Sequence, residues 1–328
     1  MSANPRKMLL TGGAGFVGSH VAEALLSRGN SLAIIDSLED FYPPARKKAN
    51  LEEARRKGSF EFFQLDICET SKLREVFAAV RPSVVIHLAA RAGVRPSIER
   101  PALYERVNVF GTMQLLELAK EFGVEKFVYG SSSSVYGATS AVPFSEDQRD
   151  LRPISPYAAT KLAGELLLFA YAHLYHFEAV CLRFFTIYGP RQRPDLAIHK
   201  FTAMMEAGEP IPVFGDGSAA RDYTYVDDIV SGVLAALEFV PAATHGAKFE
   251  VFNLGNSHPV TLNDLIAKLE VATGQKAVRR AMPPQLGDVP ATWADISRAQ
   301  KFLGYQPQTS LDSGLKNFVR WFREAGPL

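Results

Sequence analysis

The segment Leu9-Leu10-Thr11-Gly12-Gly13-Ala14-Gly15-Phe16-Val17-Gly18 constrains the fold more than any other stretch of this chain. An apolar, strand-forming run enters a glycine turn and leaves it as an amphipathic helix. Gly12 permits the tight turn, Gly15 lets backbone amides approach a pyrophosphate, and Gly18 lets the helix pack closely on the strand. The N-terminus of that helix then faces the phosphates. A glycine pattern alone is a weak signal, but here the flanking strand and helix accompany it. The theme repeats. Short apolar runs at 7–11, 31–35, 60–65, 84–88, 126–129 and 179–183 alternate with helical patterns at 16–27, 71–80, 102–122 and 156–176. This alternation predicts a parallel sheet covered on both faces.

The fold class is therefore α/β: a doubly wound (Rossmann) parallel sheet whose ligands bind beyond the carboxyl ends of the strands. At 328 residues the chain is large for one core. After Thr186 the regularity fails, with Pro190, Pro194, Pro210, Pro212 and the turn Phe214-Gly215-Asp216-Gly217 breaking it into short pieces. Further helices are predicted at 226–239, 262–273 and 311–324. Residues 1–185 are expected to form the nucleotide-binding domain, with parts of the later chain threading back. Residues 186–328 are expected to form mainly a smaller C-terminal α/β substrate-binding lobe.

A net charge of +1 offers no global field to draw in nucleic acid or an anionic membrane, so neither is an expected partner. An anionic ligand must instead be held by local arginines and backbone amides. No apolar run approaches the ~20 residues that span a bilayer, and Met8-Leu9-Leu10 is too short for the core of a signal peptide. Cys68 and Cys181 lie far apart in apolar surroundings and read as buried thiols, which fits a reducing cytoplasm. The histidines form no His-Glu-x-x-His pair, so no metal site is expected.

Several residues bear on a dinucleotide. Asp36 follows the second apolar run, where an acid accepts both ribose hydroxyls and repels a 2′-phosphate, so NAD is favoured over NADP. Asp66 ends the third run, placed either to accept from the adenine amino group or to cap the next helix. Leu88, Ala89 and Ala90 close the fourth run with residues small enough for close passage of the cofactor. Asn108 is a polar residue inside a helix, either a bracing group or a cofactor ligand. Gly130-Ser131-Ser132-Ser133-Ser134 follows the fifth run, and Ser155-Pro156-Tyr157-Ala158-Ala159-Thr160-Lys161 opens a helix with a serine N-cap and a proline in its first turn. Tyrosine titrates near pH ~10 and is a poor base unless a cation lowers it. Residues four apart share a helix face, which places Lys161 beside Tyr157 as that cation.

These motifs, together with Arg183-Phe184-Phe185-Thr186-Ile187-Tyr188-Gly189-Pro190, Arg221-Asp222-Tyr223-Thr224-Tyr225-Val226-Asp227-Asp228 and Gly287-Asp288-Val289-Pro290, resemble the extended short-chain dehydrogenase/reductase family. Within it the likeness is to the NAD-dependent nucleotide-sugar 4-epimerases, over nearly the whole chain. The resemblance implies that Tyr157 takes the proton of the sugar 4-hydroxyl while the C4 hydride moves to tightly held NAD. The 4-keto sugar then turns over and receives the hydride on its other face. Ser132, Tyr157 and Lys161 are the implied catalytic residues. Gly12, Gly15, Phe16, Val17, Gly18, Asp36, Ser37, Asp66, Ile67, Leu88, Ala89, Ala90 and Asn108 would hold the cofactor with Tyr157 and Lys161. Ser132, Ser133, Ser134, Arg95, His199, Lys200, Val213, Phe214 and Asp288 would meet the UDP-sugar, with Arg221 clamping phosphate.

The likeness is greatest to the UDP-glucuronate 4-epimerases, through Asp36-Ser37-Leu38-Glu39-Asp40-Phe41-Tyr42 and Arg191-Gln192-Arg193-Pro194-Asp195. There, residues matching Thr186 and Arg193 hold the C6 carboxylate, a match of guanidinium fork to carboxylate oxygens. Arg193 is also placed to pair with Asp195 or with phosphate. Arg191-Gln192 stands where that subfamily commonly has Trp-Gly, and Pro-Arg-Gln occurs in epimerases of neutral UDP-hexoses. UDP-glucose/UDP-galactose or UDP-N-acetylhexosamine epimerisation is thus the alternative. The family's dehydratases and decarboxylases carry an acid in the serine run, and this chain has none. A catalytically silent NAD-binding sensor or scaffold would usually lack the tyrosine or lysine, and both are present. The family also suggests a homodimer built on helices 102–122 and 156–176.

Overall fold

The structure, a computed structural model, describes residues 6–137, 141–283 and 290–326. Strands β1 (Lys7–Thr11), β2 (Ser31–Asp36), β3 (Glu61–Gln64), β4 (Val84–His87), β5 (Lys126–Ser132) and β6 (Glu178–Phe184) form its parallel centre. Beyond them come β7 (Thr186–Tyr188), β8 (Ile211–Phe214), β9 (Ala220–Tyr225), β10 (Ala243–Thr244) and β11 (Ala247–Leu254). The main sheet has eight strands in the order β10-β11-β6-β5-β4-β1-β2-β3. Strand order reverses between β1 and β4, the crevice where doubly wound folds bind ligands. Strand β11, from late in the chain, pairs in parallel with β6, so the later sequence threads back into the first sheet.

The strands are apolar almost throughout because both faces are covered. Leu10, Ile34, Ile86, Val128 and Val180 point into one core, and Leu9, Ala33, Val85, Phe127 and Ala179 into the other. Helices α1 (Phe16–Ser27) and α2 (Pro44–Arg55) lie on the first face; α3 (Thr70–Val80) contributes Leu73, Val76, Phe77 and Val80 to the second. Next come α4 (Val94–Glu99), α5 (Pro101–Glu105), α6 (Gly111–Phe122) and α7 (Pro156–Tyr175). The helix predicted over 102–122 is interrupted: residues Arg106–Phe110 form a π-helical turn between α5 and α6. Such turns often lie at functional sites. Helix α7 begins as the sequence predicts, with the Ser155 hydroxyl accepting from the Ala158 N–H at 3.1 Å. Cys68 and Cys181 are buried free thiols.

Helices α2, α4, α8 (Ala197–Glu206) and α11 (Ser297–Leu303) lie outside the predicted helical segments. Helix α2 buries Lys47 and Asn50 alongside Leu51 and Ala54, and α8 lies in the proline-broken segment. Helix α9 (Val226–Glu238) packs beside α1. Strand β12 (Pro259–Thr261) precedes α10 (Leu262–Thr273), then β13 (Arg279–Met282) and β14 (Ala291–Thr292), and α11 and α12 (Leu311–Ala325) end the chain. Strands β12, β9 and β14 form a small sheet with β7 on β9, while β8 pairs with β13. Among the described residues no helix is long and apolar enough to cross a membrane.

Asp222 ties this later part together. Its buried carboxylate accepts from the N–H groups of Asn256 at 2.8 Å, Ser257 at 2.9 Å and Ala294 at 3.1 Å. Those are loop amides that no ladder satisfies, and an orphaned buried donor costs about 1–3 kcal/mol. Asp222→Ala is expected to lower unfolding free energy by about 3 kcal/mol or more, read as a reduced urea midpoint and a lower Tm.

Candidate active site

A cavity of 720 Å³ opens at the carboxyl ends of β1, β2, β4 and β5. It is lined by Gly12, Gly15, Phe16, Val17, Gly18, Asp36, Ser37, Asp66, Ile67, Leu88, Ala89 and Ala90, and at its other end by Ser132, Ser133, Ser134, Tyr157, Lys161, Thr186 and Arg193. The turn needs its glycines. A Cβ on Gly18 would lie 2.1 Å from the Gly12 carbonyl oxygen, and one on Gly12, whose φ is +75°, would lie 2.7 Å from the Ala89 nitrogen. The first contact brings the start of α1 onto the turn, so its unpaired amides face the cavity. The Asn50 amide donates to the Ala14 carbonyl at 2.9 Å and holds the loop from outside.

Asp36 closes β2 with one oxygen accepting from the Ala14 N–H at 3.1 Å and the other from the Leu38 N–H at 2.9 Å. Each oxygen keeps a lone pair for a ribose hydroxyl. Burial pushes its carboxyl up, against the pull of those amides and of Lys47. Asp66 accepts from the Cys68 N–H at 2.9 Å, a turn-forming bond, while also facing the cavity. A glycine turn without room for side chains, a helix N-terminus and a ribose-facing acid suit an unphosphorylated dinucleotide such as NAD.

At the reacting end, burial raises the Tyr157 phenol, and the Ser132 hydroxyl and the Arg193 guanidinium pull it down. Lys161 lines the same cavity. Its ammonium donates to the Gly130 carbonyl at 2.7 Å and stands 4.9 Å over the Tyr129 ring, with burial lowering its pKa to about 8. The i, i+4 spacing does put both residues on one face of α7, but the long lysine stem reaches down to the strand. The Arg193 guanidinium is a second cation in that lining, and its charge pulls the phenol down. Arg193 itself forks onto Asp195 at 2.9 and 2.7 Å and lies 5.5 Å over the Phe41 ring.

Other predicted site residues stand apart from this cavity. His199 is buried on α8 among Phe318, Trp321 and Phe322, and Lys200 beside it is exposed. Val213 and Phe214 lie on β8, and the exposed Arg95 of α4 reaches across to stand 5.6 Å over the Phe214 ring. Arg221 on β9 donates to the Ala220 carbonyl at 2.8 Å. Asn108 is buried and braces: it accepts from the Arg91 N–H at 2.8 Å and donates to the Arg91 carbonyl and the Thr160 hydroxyl, each at 3.0 Å. The π turn aims it there. Asp288 lies outside the described residues.

The NAD dependent epimerase/dehydratase family matches residues 8–255. The chain belongs to this family. It is 44% identical to a UDP-glucuronate 4-epimerase of Thermodesulfobacterium geofontis, over 96% of each chain. Among solved structures, a UDP-glucuronic acid 4-epimerase from Bacillus cereus in complex with UDP-glucuronic acid and NAD superposes with a TM-score of 0.89 at 38% identity, covering 97% of this chain and 99% of that one. A UDP-glucose 4-epimerase from Thermotoga maritima with UDP-glucose gives 0.87 at 35% identity, with the same coverage.

This family member also lines its cavity with charges that the sequence analysis passed over: Glu39, Lys47, Arg91 and Arg106. Glu39 and Arg91 form an ion pair between the loops after β2 and β4. Their positions three residues past Asp36 and one past Ala90 were the available signal. Lys47 comes from α2, whose polar sequence gave none.

His87, at the end of β4, anchors the floor. The Thr112 hydroxyl donates to the Asn108 carbonyl at 2.6 Å, so at 2.9 Å it accepts from His87 Nε2–H. The Thr11 oxygen accepts from the Ala89 N–H at 3.2 Å and donates to His87 Nδ1 at 2.7 Å. The imidazole is therefore neutral and satisfied on both sides. Burial, then the Lys161 cation, lowers its pKa from 6.5 to about 3. As pH falls below 6.5 the unfolded chain takes a proton that the folded one refuses, so stability drops until about pH 3. The unfolding free-energy gap between the parent and His87→Gln should thus narrow by about 1.4 kcal/mol per pH unit as pH falls from 6.5 towards about 3, measured by urea titration. A gap that does not change with pH would show the ring already charged.

Proposed function

We propose that this protein is an NAD-dependent UDP-sugar 4-epimerase acting on UDP-glucuronate to give UDP-galacturonate. The observation that carries it is the convergence of Ser132, Tyr157, Thr186 and Arg193 on one end of a cavity whose other end suits a dinucleotide. NAD held by the glycine turn and Asp36 supplies the acceptor, and then the donor, of the C4 hydride. The protein's own groups do the rest. Tyr157, as phenolate, takes the proton from the 4-hydroxyl, and the Ser132 hydroxyl beside it in the cavity holds the same sugar oxygen. When the keto sugar has presented its other face, the phenol returns that proton to the 4-oxygen. Arg193 has two tasks: its charge favours the phenolate, and its fork receives the C6 carboxylate with the Thr186 hydroxyl.

The uridine diphosphate end is assigned to Arg95, Val213, Phe214 and Arg221, with Ser133 and Ser134 beside the sugar. The Arg95–Phe214 contact supports this, because it joins α4 to the later lobe where a base would stack. The same reading divides the chain into a nucleotide-binding domain at 1–185, joined by β10 and β11 from later in the chain, and a substrate lobe formed mainly by 186–328. His199 and Lys200 support a wall of that lobe rather than a contact. Two neighbouring helices favour a homodimer, as α7 exposes Leu166, Leu174 and Tyr175 while α6 packs beside it. Sedimentation velocity reads this directly. The two buried thiols favour a cytoplasmic enzyme.

A neutral UDP-hexose is the second reading, favoured by one observation: the Arg193 fork already has Asp195 as a partner. One set of assays separates the readings. The parent should convert UDP-glucuronate, and Tyr157→Phe should lose at least about 10³-fold in kcat while keeping its NAD. Arg193→Ala should lose about 10²-fold in kcat/KM on UDP-glucuronate, with a smaller loss on UDP-glucose. Equal losses on both sugars would give the neutral reading precedence.

A further inference from the structure

Glu165 lies one turn beyond Lys161 and two beyond Tyr157 on α7, and the mechanism above gives it no task. It is 4% exposed, and its carboxylate is fully engaged. One oxygen accepts from the Ser131 hydroxyl and from Arg183 Nε at 3.0 Å; the other accepts from the second arm of the Arg183 fork at 2.7 Å. Ser131 and Arg183 face each other in the register of β5 and β6. The carboxylate therefore plugs into a socket made by two adjacent central strands. Arg183 is in turn covered by the Tyr136 ring, 4.8 Å away, whose hydroxyl donates to Asn253 Oδ1 on β11 at 2.7 Å.

Stability does not explain this arrangement. Burying a paired carboxylate and guanidinium costs several kcal/mol per ion in lost hydration, and apolar residues of similar size often serve as well. What the pair does supply is direction. Two consecutive residues of β5 each hold a side chain from α7, the Gly130 carbonyl taking Lys161 and the Ser131 hydroxyl meeting Glu165, and Ser132, the next residue, lines the cavity together with Tyr157. Apolar contacts would tolerate a small slide of the helix along the strand, whereas a forked, charged socket does not.

We infer that Glu165, locked by Ser131 and Arg183, is a positioning residue that holds α7 on β5 in the register that sets Tyr157 and Ser132 side by side in the cavity. The inference rests on the epimerase reading for its kinetic test and on geometry alone for its structural one. A misplacement near 1 Å at a reacting group costs about 10²-fold in rate. The double variant Glu165→Leu/Arg183→Met removes both charges together and leaves neither unpaired. It is expected to fold with an undiminished Tm and full NAD content, to keep the parent's KM, and to lose roughly 30–100-fold in kcat. Ser131→Ala, a milder change, should lose about 3–10-fold in kcat with KM unchanged, and it decides the matter if the double variant does not fold. A folded, NAD-loaded double variant with the parent's kcat overturns the proposal, as does loss of kcat only in step with loss of NAD or Tm. Should the parent itself be inactive on every UDP-sugar, the functional assignment falls instead. Crystal structures of parent and variant then decide the positioning role: an unchanged Tyr157–Ser132 separation refutes it, and a longer one sustains it.

Discussion

The contact between Gly18 and the carbonyl of Gly12 is the constraint on which the rest of the site depends. Any larger residue at position 18 would strike that oxygen, so only a hydrogen there lets α1 start directly above the end of β1. With α1 so placed, its first amides point at the crevice between β1 and β4, where the strand order reverses. The loops after β2, β4 and β5 then converge on the same crevice without further design. A parallel sheet sends every strand out at one edge, and every connection must return across a face. Chemistry in such a fold is confined to one rim.

That rim is supported by polar groups buried at a cost. His87, Asn108 and Glu165 are each almost wholly out of water, and each has its hydrogen-bonding capacity used by a partner. His87 joins β1 and β4 to α6, Asn108 joins the loop after β4 to α7, and Glu165 joins α7 to β5 and β6. Together they connect every element that carries a reacting group in the first half of the chain. Unsatisfied, any one would be more costly than an apolar replacement; satisfied, each fixes a single geometry. The later lobe uses the same device in Asp222, whose carboxylate holds three loop amides. The motif around Arg221 thus contains a structural acid as well as a candidate phosphate ligand.

The fold was legible because buried parallel strands read as continuous apolar runs and their helices as amphipathic ones. Where burial relies on polar atoms the signal vanished. Helix α2 packs through Lys47 and Asn50, and the π turn at 106–110 lies between two helices with no glycine or proline inside it to mark the break. The candidate site was legible in part for a related reason. Glycine turns, strand-end acids and a tyrosine–lysine pair are local patterns, and the cavity gathers them. Arg95, His199, Phe214 and Arg221 depend instead on how distant segments meet, and the structure leaves them away from that cavity.

Sequence by itself determined the doubly wound sheet, the glycine turn and the face of α7 shared by Tyr157 and Lys161, since each follows from spacing along a few neighbouring residues. Tertiary structure decided where the cations of the site lie. Helical periodicity can say that Lys161 shares a face with Tyr157, but not that its ammonium goes to Gly130 while Arg193 arrives from a different segment. Coulomb energy depends on distance through space, and distance through space is set only once the whole chain has packed.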